Sequence, residues 1–512
     1  MKLRRLAALM VAALMISMVA SAAAEAAKLH HRERAASRFA SIQQGAGLTL
    51  GFGNASTTAL TSGSNSSQQT WAARARSVGA QIVRVGVDWA SVAPVTPAQP
   101  SSPYSVGYQW AALDQVVTTL VAEGLTPELV VDDAPYWAEG AKMPWWASPG
   151  SWKPNDNDLK QFAQALAARY NGSFPNPNQA GAKLPRVTDW EAWNEPNLST
   201  YLSPQTSGEN GRCSRRPLGA VQSPALFRGL QNAFYAGIKA SAPSDVVLLA
   251  GLAPYSNPAC KWVISAATFR VSPLSFLRST LCLNAKNRHI RGCNQVTNFD
   301  AINSHPYPPP DSFVGVLWHA PGGDTAVADV GKLRAVVNAA QRARTVNPRA
   351  RIGFWVTELG WDTNPPDRGG VSNAKAATWL NQGFFTLWQQ GVRDILWFRL
   401  NDINHFSGED WPGGSGLFTA RGQAKPMATA FKFLFLTHRI NSGTVRAWGR
   451  APVAGTLNIQ RQAGRGWVTV ASGRVRMHEV FLATISQYGA GNFRAVVGRQ
   501  TSLTWNQGYG TW

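Results

Sequence analysis

Two short segments place a glutamate where an apolar run gives way to a loop. Residues 189–197 read Asp-Trp-Glu-Ala-Trp-Asn-Glu-Pro-Asn and contain Glu195, and residues 352–361 read Ile-Gly-Phe-Trp-Val-Thr-Glu-Leu-Gly-Trp and contain Glu358. A carboxylate at the mouth of a buried strand is costly unless it is paired or hydrogen-bonded. Cleavage of a glycosidic bond commonly requires two carboxyl groups. One protonates the leaving oxygen, while the other attacks the sugar or directs water at it. We therefore assign Glu195 as the candidate acid/base and Glu358 as the candidate nucleophile.

Glu191 is the competing carboxylate in the first segment. Strand alternation points residues 191, 193 and 195 to one face, and Glu191 lies two pleats, or four residues, deeper than Glu195. A carboxylate so far from the strand end is expected to pair with a buried cation such as Arg84 rather than to meet a substrate. Pro196 ends the strand, because proline cannot continue the hydrogen-bond ladder, and this leaves Glu195 displayed at the rim.

Apolar runs alternate with helical patterns from residue 48 to about residue 438, which is typical of repeated strand-helix units. Eight such units predict an α/β fold, a (β/α)8 TIM barrel. The predicted strands are residues 48–53, 82–88, 126–132, 188–194, 246–251, 301–305, 352–357 and 394–399. Helical patterns include residues 156–170, 223–242, 329–347, 374–390 and 425–438. In this fold the chemistry lies on the loops that leave the C-terminal ends of the strands, where Glu195 and Glu358 follow strands four and seven.

After residue 438 the strand-helix alternation ends. Short segments in which apolar and polar residues alternate follow, without a helical period, and they predict a small antiparallel β-sandwich. The predicted division is a signal peptide over 1–27, an N-terminal extension over 28–47, the catalytic barrel over 48–438 and the accessory sandwich over 439–512. From residue 443 onward the sequence contains eight arginines and one glutamate, which gives a net charge of 8 − 1 = +7. Two roles stay open for the sandwich, packing against the barrel and binding a glycan or wall polymer.

The N-terminus has the three-part layout of a secretory signal peptide. Lys2, Arg4 and Arg5 precede an apolar run over 6–20, and small residues follow. No later stretch approaches the roughly 20 apolar residues that a membrane span requires. We expect an exported, extracellular monomer without stable membrane insertion, with attachment to the cell wall as an alternative.

Four cysteines fit an oxidising compartment, and their even number permits two disulfides. We favour pairing Cys282 with Cys293, which closes a short basic loop, and Cys213 with Cys260, although sequence leaves three pairings open. Zinc is the alternative, but no C-x-x-C pair occurs and no histidine lies near two of the cysteines. No metal site and no cofactor are expected.

A formal net charge of +21 suits a polyanionic partner. The arginines are scattered, however, and no nucleic-acid motif accompanies them, which argues against nucleic acid. Two interpretations stay open, an arginine-rich soluble surface and attraction to an acidic glycan or cell-wall polymer.

The triplet Asn194-Glu195-Pro196 and the run Thr357-Glu358-Leu359-Gly360 resemble the acid/base and nucleophile signatures of clan A glycoside hydrolases, first family 39 and its relatives, then family 5. This resemblance implies a barrel that needs no cofactor and a carbohydrate substrate. It also implies a set of substrate-binding or supporting residues, which are Arg84 on strand two, Asn194 toward a sugar 2-hydroxyl, His305 and Tyr307 on strand six, and Trp397 on strand eight.

Indole rings can stack on the flat C–H faces of sugars. The strand-end loops supply several aromatic residues, and among them we expect Trp89, Trp137 and Trp361 to bind substrate. The sequence therefore predicts a secreted retaining glycosidase of poly- or oligosaccharides, which needs the two carboxylates about 5–5.5 Å apart, whereas about 6.5–9.5 Å would mean inversion. A non-catalytic glycan-binding envelope protein on the same barrel, and a transglycosylase, remain the alternatives.

Overall fold

The computed structural model describes residues 39–53, 64–210, 219–256, 270–309, 314–347, 352–404, 412–486 and 488–508. These residues form two compact units, one over 46–432 and one that joins 39–45 to 433–508. The expected signal peptide over 1–27, together with Cys213 and Cys260, lies outside the described residues. No helix in these described ranges is both long and apolar enough to cross a bilayer.

The strands begin with two short segments, β1 (Ala40–Ser41) and β2 (Gln43–Gln44). The strands of the unit over 46–432 follow, and they are β3 (Thr49–Phe52), β4 (Ile82–Asp88), β5 (Thr126–Asp132), β6 (Asp189–Ala192), β7 (Val246–Leu249), β8 (Ala301–Ile302), β9 (Gly353–Val356), β10 (Thr363–Asn364), β11 (Val371–Ser372) and β12 (Asp394–Trp397). Strands β3 to β9 and β12 close into a parallel barrel in the order β12-β3-β4-β5-β6-β7-β8-β9. The predicted TIM barrel is therefore confirmed, and β10 with β11 forms a separate two-stranded ribbon.

Nine α-helices are present within the described ranges. They are α1 (Asn65–Ser77), α2 (Trp89–Val92), α3 (Ala111–Ala122), α4 (Asp156–Arg169), α5 (Ser223–Ser241), α6 (Pro273–Thr280), α7 (Val330–Ala343), α8 (Asn373–Gln389) and α9 (Pro426–Lys432). Short 3-10 turns occupy Tyr136–Ala138 and Val327–Asp329.

Helix α4 shows why these segments are helical. The Asn155 side chain caps its first turn by accepting hydrogen bonds from the backbone N–H groups of Asn157 and Asp158. Its buried residues include Leu159 and Phe162 at helical spacing, so one face of the helix is apolar.

The predicted helix over 425–438 is wrong in its second half. Helix α9 ends at Lys432, and strand β13 begins at Phe435. Residues 433–436 are all apolar and all buried, so this run has no polar face and suits a strand that is covered on both sides. The barrel unit consequently ends at Lys432, six residues before the predicted boundary.

The second unit contains β13 (Phe435–Asn441), β14 (Thr444–Arg450), β15 (Gly455–Ala463), β16 (Gly466–Val475), β17 (Val480–Ser486), β18 (Gly491–Val497), β19 (Gln500–Thr501) and β20 (Trp505–Gln507). One sheet has the order β1-β16-β15-β18-β19 with β20 beside β18, and the other has the order β13-β14-β17-β2. Apart from the parallel pair β1 and β16, the pairs are antiparallel, as predicted for the sandwich. Residues 39–45, predicted as an extension, are therefore edge strands of this unit.

Of the two expected disulfides, the bond between Cys282 and Cys293 is present. It closes a loop of separation 11 that carries Lys286, Arg288 and Arg291.

Candidate active site

Glu195 lies just beyond strand β6, where the backbone leaves the sheet. The strand ends at Ala192, and both Trp193 and Glu195 have positive φ angles, 72° and 37°. Strand alternation therefore stops after Ala192, and the predicted strand over 188–194 begins one residue too early and ends two residues too late. The Trp193 ring turns aside to donate to the carbonyl of Tyr201, while the Glu195 N–H donates to the Gly251 carbonyl at 3.1 Å.

Glu358 follows strand β9 and is 9% exposed. Its Oε1 accepts a hydrogen bond from Nη1 of Arg84 at 2.7 Å, and its Oε2 accepts one from the Tyr307 hydroxyl at 2.8 Å. Two donors therefore fix both oxygens of this carboxylate.

Glu195 is held by His305 instead. Its Oε1 lies 2.9 Å from Nδ1 of His305, whose Nε2 is 3.0 Å from the Thr357 hydroxyl. A carboxylate oxygen of Glu195, a carboxylate oxygen of Glu358 and a ring nitrogen of His305 all lie within 4.8 Å of one another. The two glutamates that the sequence singled out therefore share one site.

Arg84 is the centre of the charge arrangement beneath this site. Its Nε donates to Glu191 at 2.7 Å, and its Nη2 donates to Oδ1 of Asn194 at 3.0 Å. Glu191 is fully buried and paired with Arg84, as the sequence argument expected. Because Oδ1 of Asn194 is used by Arg84, its amide N–H group is the part left to face a ligand.

Burial governs the protonation of Glu358. It raises the pKa of this carboxyl, while the charges of His305 and Arg84 and the Tyr307 hydrogen bond oppose the rise. Arg84 therefore acts in the expected direction, toward the ionised form, but burial outweighs it. Burial alone would lower the pKa of His305, yet the charges of Glu358 and Glu195 raise it above its usual value.

A chain of hydrogen bonds connects the two glutamates below the cavity. The Asn303 amide donates to Oε1 of Glu191 at 2.9 Å and also to the Thr357 hydroxyl, which meets His305. Glu191 accepts from Arg84, and Arg84 donates to Glu358, so the network joins the two glutamates without a break.

A cavity of about 830 Å³ opens above these residues. Both glutamates, Arg84 and Asn194 line it. This volume is in the range of pockets that bind small ligands, about 300–1,000 Å³.

Sequence reasoning missed several residues that line this cavity. They are Asp88, Ser91, Gln109, Asp132, Asp133, Tyr201 and Phe398, with apolar and glycine positions of strands β4 and β5 and of helix α3. Asp88 and Asp132 end strands β4 and β5, and Phe398 follows β12, so the strand-end rule that found the glutamates could have found these three. Tyr201 lies in a loop and carries no such signal.

Three predicted tryptophan contacts are wrong. Trp89, Trp361 and Trp397 are all fully buried, so their rings are not available to stack on a sugar. Trp89 stacks on Phe162, and Trp361 packs edge-on against Trp397. These residues are core because the barrel wall and its helices enclose them, which residue type alone does not reveal.

Trp137 is half-buried, and its indole N–H donates to the Ala93 carbonyl. The exposed rings of the same loop are Tyr136 and Trp145, with 83% and 89% exposure. Tyr136, Trp137 and Trp145 are not among the described residues that line the cavity, so sugar stacking by Trp137 stays a prediction.

Glu195, His305 and Glu358 are also the set of described residues close enough to share a metal ion. The guanidinium of Arg84, 2.7 Å from Glu358, would repel a divalent cation placed there. The donor set therefore fits proton chemistry better than metal binding.

No protein-family model matches the sequence, and no curated protein matches it. Among solved structures, the chain is similar to a family 39 glycoside hydrolase from Bacteroides cellulosilyticus WH2, with 14% identity, 85% of this chain and 80% of that chain covered, and a TM-score of 0.48. It is also similar to a glucosidase from Croceicoccus marinus, with 13% identity, coverage of 88% and 99%, and a TM-score of 0.47. A family 39 β-xylosidase from Caulobacter crescentus gives 15% identity, coverage of 87% and 99%, and a TM-score of 0.47.

Proposed function

We propose that this protein is a secreted retaining glycoside hydrolase, with Glu195 as the acid/base and Glu358 as the nucleophile. The observation that carries the proposal is the meeting of these two carboxylates within 4.8 Å of one another, in a cavity at the C-terminal end of the barrel. Carboxyl groups at about 5–5.5 Å suit double displacement, whereas inverting enzymes leave about 6.5–9.5 Å for a water molecule.

The reaction takes two steps. Glu358 attacks the anomeric carbon as the glycosidic C–O bond breaks, while Glu195 gives its proton to the leaving oxygen. Glu195 then removes a proton from water, which displaces Glu358 from the anomeric carbon and restores both groups. The contacts of Arg84 and Tyr307 suit Glu358 for attack, because both stabilise its ionised form.

The charge of the cavity wall favours an uncharged or amine-bearing sugar over a uronate. Three aspartates, Asp88, Asp132 and Asp133, line the cavity, and Arg84 is already engaged by carboxylates. Burial and mutual repulsion raise the pKa of Asp132, so the cavity tolerates additional negative charge poorly. The expected attraction to acidic glycans is therefore assigned to surfaces outside this cavity.

Secretion is supported by the cationic and apolar N-terminal sequence and by the Cys282–Cys293 disulfide, which suits an oxidising compartment. We also propose that the protein functions as a monomer, with the whole site supplied by one chain.

The test is a panel of aryl glycosides with neutral, amino and uronate sugars, run with the wild-type protein and with Glu358→Gln. The proposal expects hydrolysis of at least one neutral or amino sugar, no hydrolysis of uronides, and loss of turnover in the variant. Tight glycan binding without any hydrolysis would instead support the non-catalytic alternative. A product longer than the substrate would support a transglycosylase.

A further inference from the structure

Glu128 is a buried carboxyl group that the proposed reaction does not use. It lies on strand β5, directly beside Arg84 of β4 and Asp189 of β6 in the sheet register, and it is fully buried. Taken as a carboxylate, it accepts no hydrogen bond at either oxygen from any residue in the described ranges.

The nearest cation is already committed elsewhere. Nε of Arg84 lies 3.7 Å from Glu128 but donates to Glu191 at 2.7 Å. Glu191 also accepts from the Gly251 N–H at 2.7 Å and from the Asn303 amide at 2.9 Å. The donors around Arg84 therefore satisfy Glu191 and Glu358 and leave Glu128 without one.

A buried carboxylate without hydrogen bonds is too costly to persist, and the group takes up a proton instead. Burial raises the pKa of Glu128, the negative charges of Glu191 and Asp189 raise it further, and Arg84 only partly opposes them. Glu128 and Glu191 border the same Nε of Arg84, at 3.7 and 2.7 Å, so Glu191 offers an acceptor for a proton on Glu128.

We propose that Glu128 is a positioning residue that stays protonated and donates a hydrogen bond to Glu191. Arg84 then balances the charge of a single deep carboxylate, Glu191, and its Nη1 remains directed at Glu358. This proposal rests on the role assigned to Glu358 above. An ionised Glu128 would compete for the same guanidinium and draw it away from the cavity. The neutral acid therefore keeps the charge beneath the nucleophile at a level that one arginine can balance.

The direct test is infrared spectroscopy of the whole protein at neutral pH, with Glu128→Gln and the control Glu123→Gln at a more accessible carboxyl before the same strand. The expected result is a carbonyl band of a protonated carboxylic acid in the wild type, lost in Glu128→Gln and kept in the control. A band lost instead from the ionised carboxylate region would overturn the proposal. This measurement needs no substrate. It therefore tests the protonation of Glu128 even if the protein is not a glycosidase.

The pH profile of kcat/KM gives a second readout. Glutamine is neutral, as the protonated acid is, so the acid limb of Glu128→Gln should keep its position. A shift of that limb to lower pH would contradict the proposal, because it would mean that a negative charge near Glu358 had been removed. Glu128→Leu removes the donor without adding charge, and we expect kcat to fall about 10-fold with little change in KM, as for a misplaced reacting group. An unchanged kcat in a folded Glu128→Leu protein would remove the positioning role.

Discussion

The two glutamates face one cavity but are held in opposite ways. Both oxygens of Glu358 are fixed, by Arg84 and Tyr307, whereas the hydrogen bond found for the Glu195 carboxylate joins it to His305. A nucleophile benefits from a fixed, ionised state, while an acid/base must give and regain a proton in each cycle. The difference in support therefore matches the difference in the proposed roles.

The largest expected effect removes the fixed carboxylate. Glu358→Gln keeps the shape of the side chain but cannot attack, so kcat on an activated aryl glycoside should fall by about 10⁴-fold or more, as for other reactive groups that act as a unit. Circular dichroism should show an unchanged fold. A folded variant with wild-type kcat would show that Glu358 is not the nucleophile.

Removing the Glu195 carboxylate should lower kcat less than removing the Glu358 carboxylate, and the loss should depend on the leaving group. Glu195→Ala should lower kcat by about 10²–10⁴-fold, the usual range for general acid–base catalysis. The loss should be small in the first step for leaving groups that need no protonation. Azide should restore turnover and give a glycosyl azide of retained configuration, identified by NMR.

The same rescue separates the two roles. In Glu358→Ala, azide should attack the substrate directly and give the inverted glycosyl azide. If both variants give the same anomer, the assignment of acid/base and nucleophile is wrong.

Arg84 tests the contacts that hold Glu358. Its charge favours the ionised form of Glu358, so without it the carboxyl keeps its proton to a higher pH. Arg84→Gln should therefore move the acid limb of the kcat/KM profile to higher pH and lower the maximum by about 10–100-fold, one to two pKa units of lost stabilisation. Arg84→Lys keeps the charge without the forked geometry and should shift the limb less.

Thermal unfolding provides the control for this prediction. Arg84→Gln also leaves Glu191 buried without its cation, a change that costs about 3–5 kcal/mol in comparable buried pairs. The pH profile must be measured well below the lowered melting temperature. An acid limb that stays in place in a folded variant would contradict the role given to Arg84.

A smaller shift of the same acid limb is expected for Tyr307. Tyr307→Phe removes the hydroxyl that donates to Glu358 at 2.8 Å and leaves the ring in place against Phe398. One hydrogen bond to a charged group contributes about 1.5–3 kcal/mol, so kcat should fall roughly 10- to 100-fold. The acid limb should move slightly upward, in the same direction as for Arg84→Gln. A downward shift would mean that the hydroxyl does not stabilise the carboxylate.

The sequence predicted the barrel well because parallel strands leave a strong signal, since they are buried on both faces and separated by helices. All eight strands were found, and with them the positions of both glutamates at strand ends. The pairing of Arg84 with Glu191 was also expected, because a deep charge needs a partner.

The errors have local physical causes. The run over 433–436 is apolar throughout, so it fits a buried strand as well as a buried helix, and the sequence could not locate the end of α9. The predicted strand over 188–194 extends past the observed end because no sequence signal indicates the positive φ angle of Trp193. Burial of Trp89 and Trp361 depends on neighbours distant in the chain, and exposure of Trp145 does so as well.

The most direct test of the central claim is to trap the covalent intermediate. The protein is incubated with 2-deoxy-2-fluoro glycosyl fluorides of gluco, xylo, manno and galacto configuration, in both anomeric forms, and digested for mass spectrometry. We predict one added fluorosugar on the peptide that contains Glu358, with no label in Glu358→Gln. A label on any other carboxylate, or an active enzyme whose first product has inverted configuration, would contradict the account.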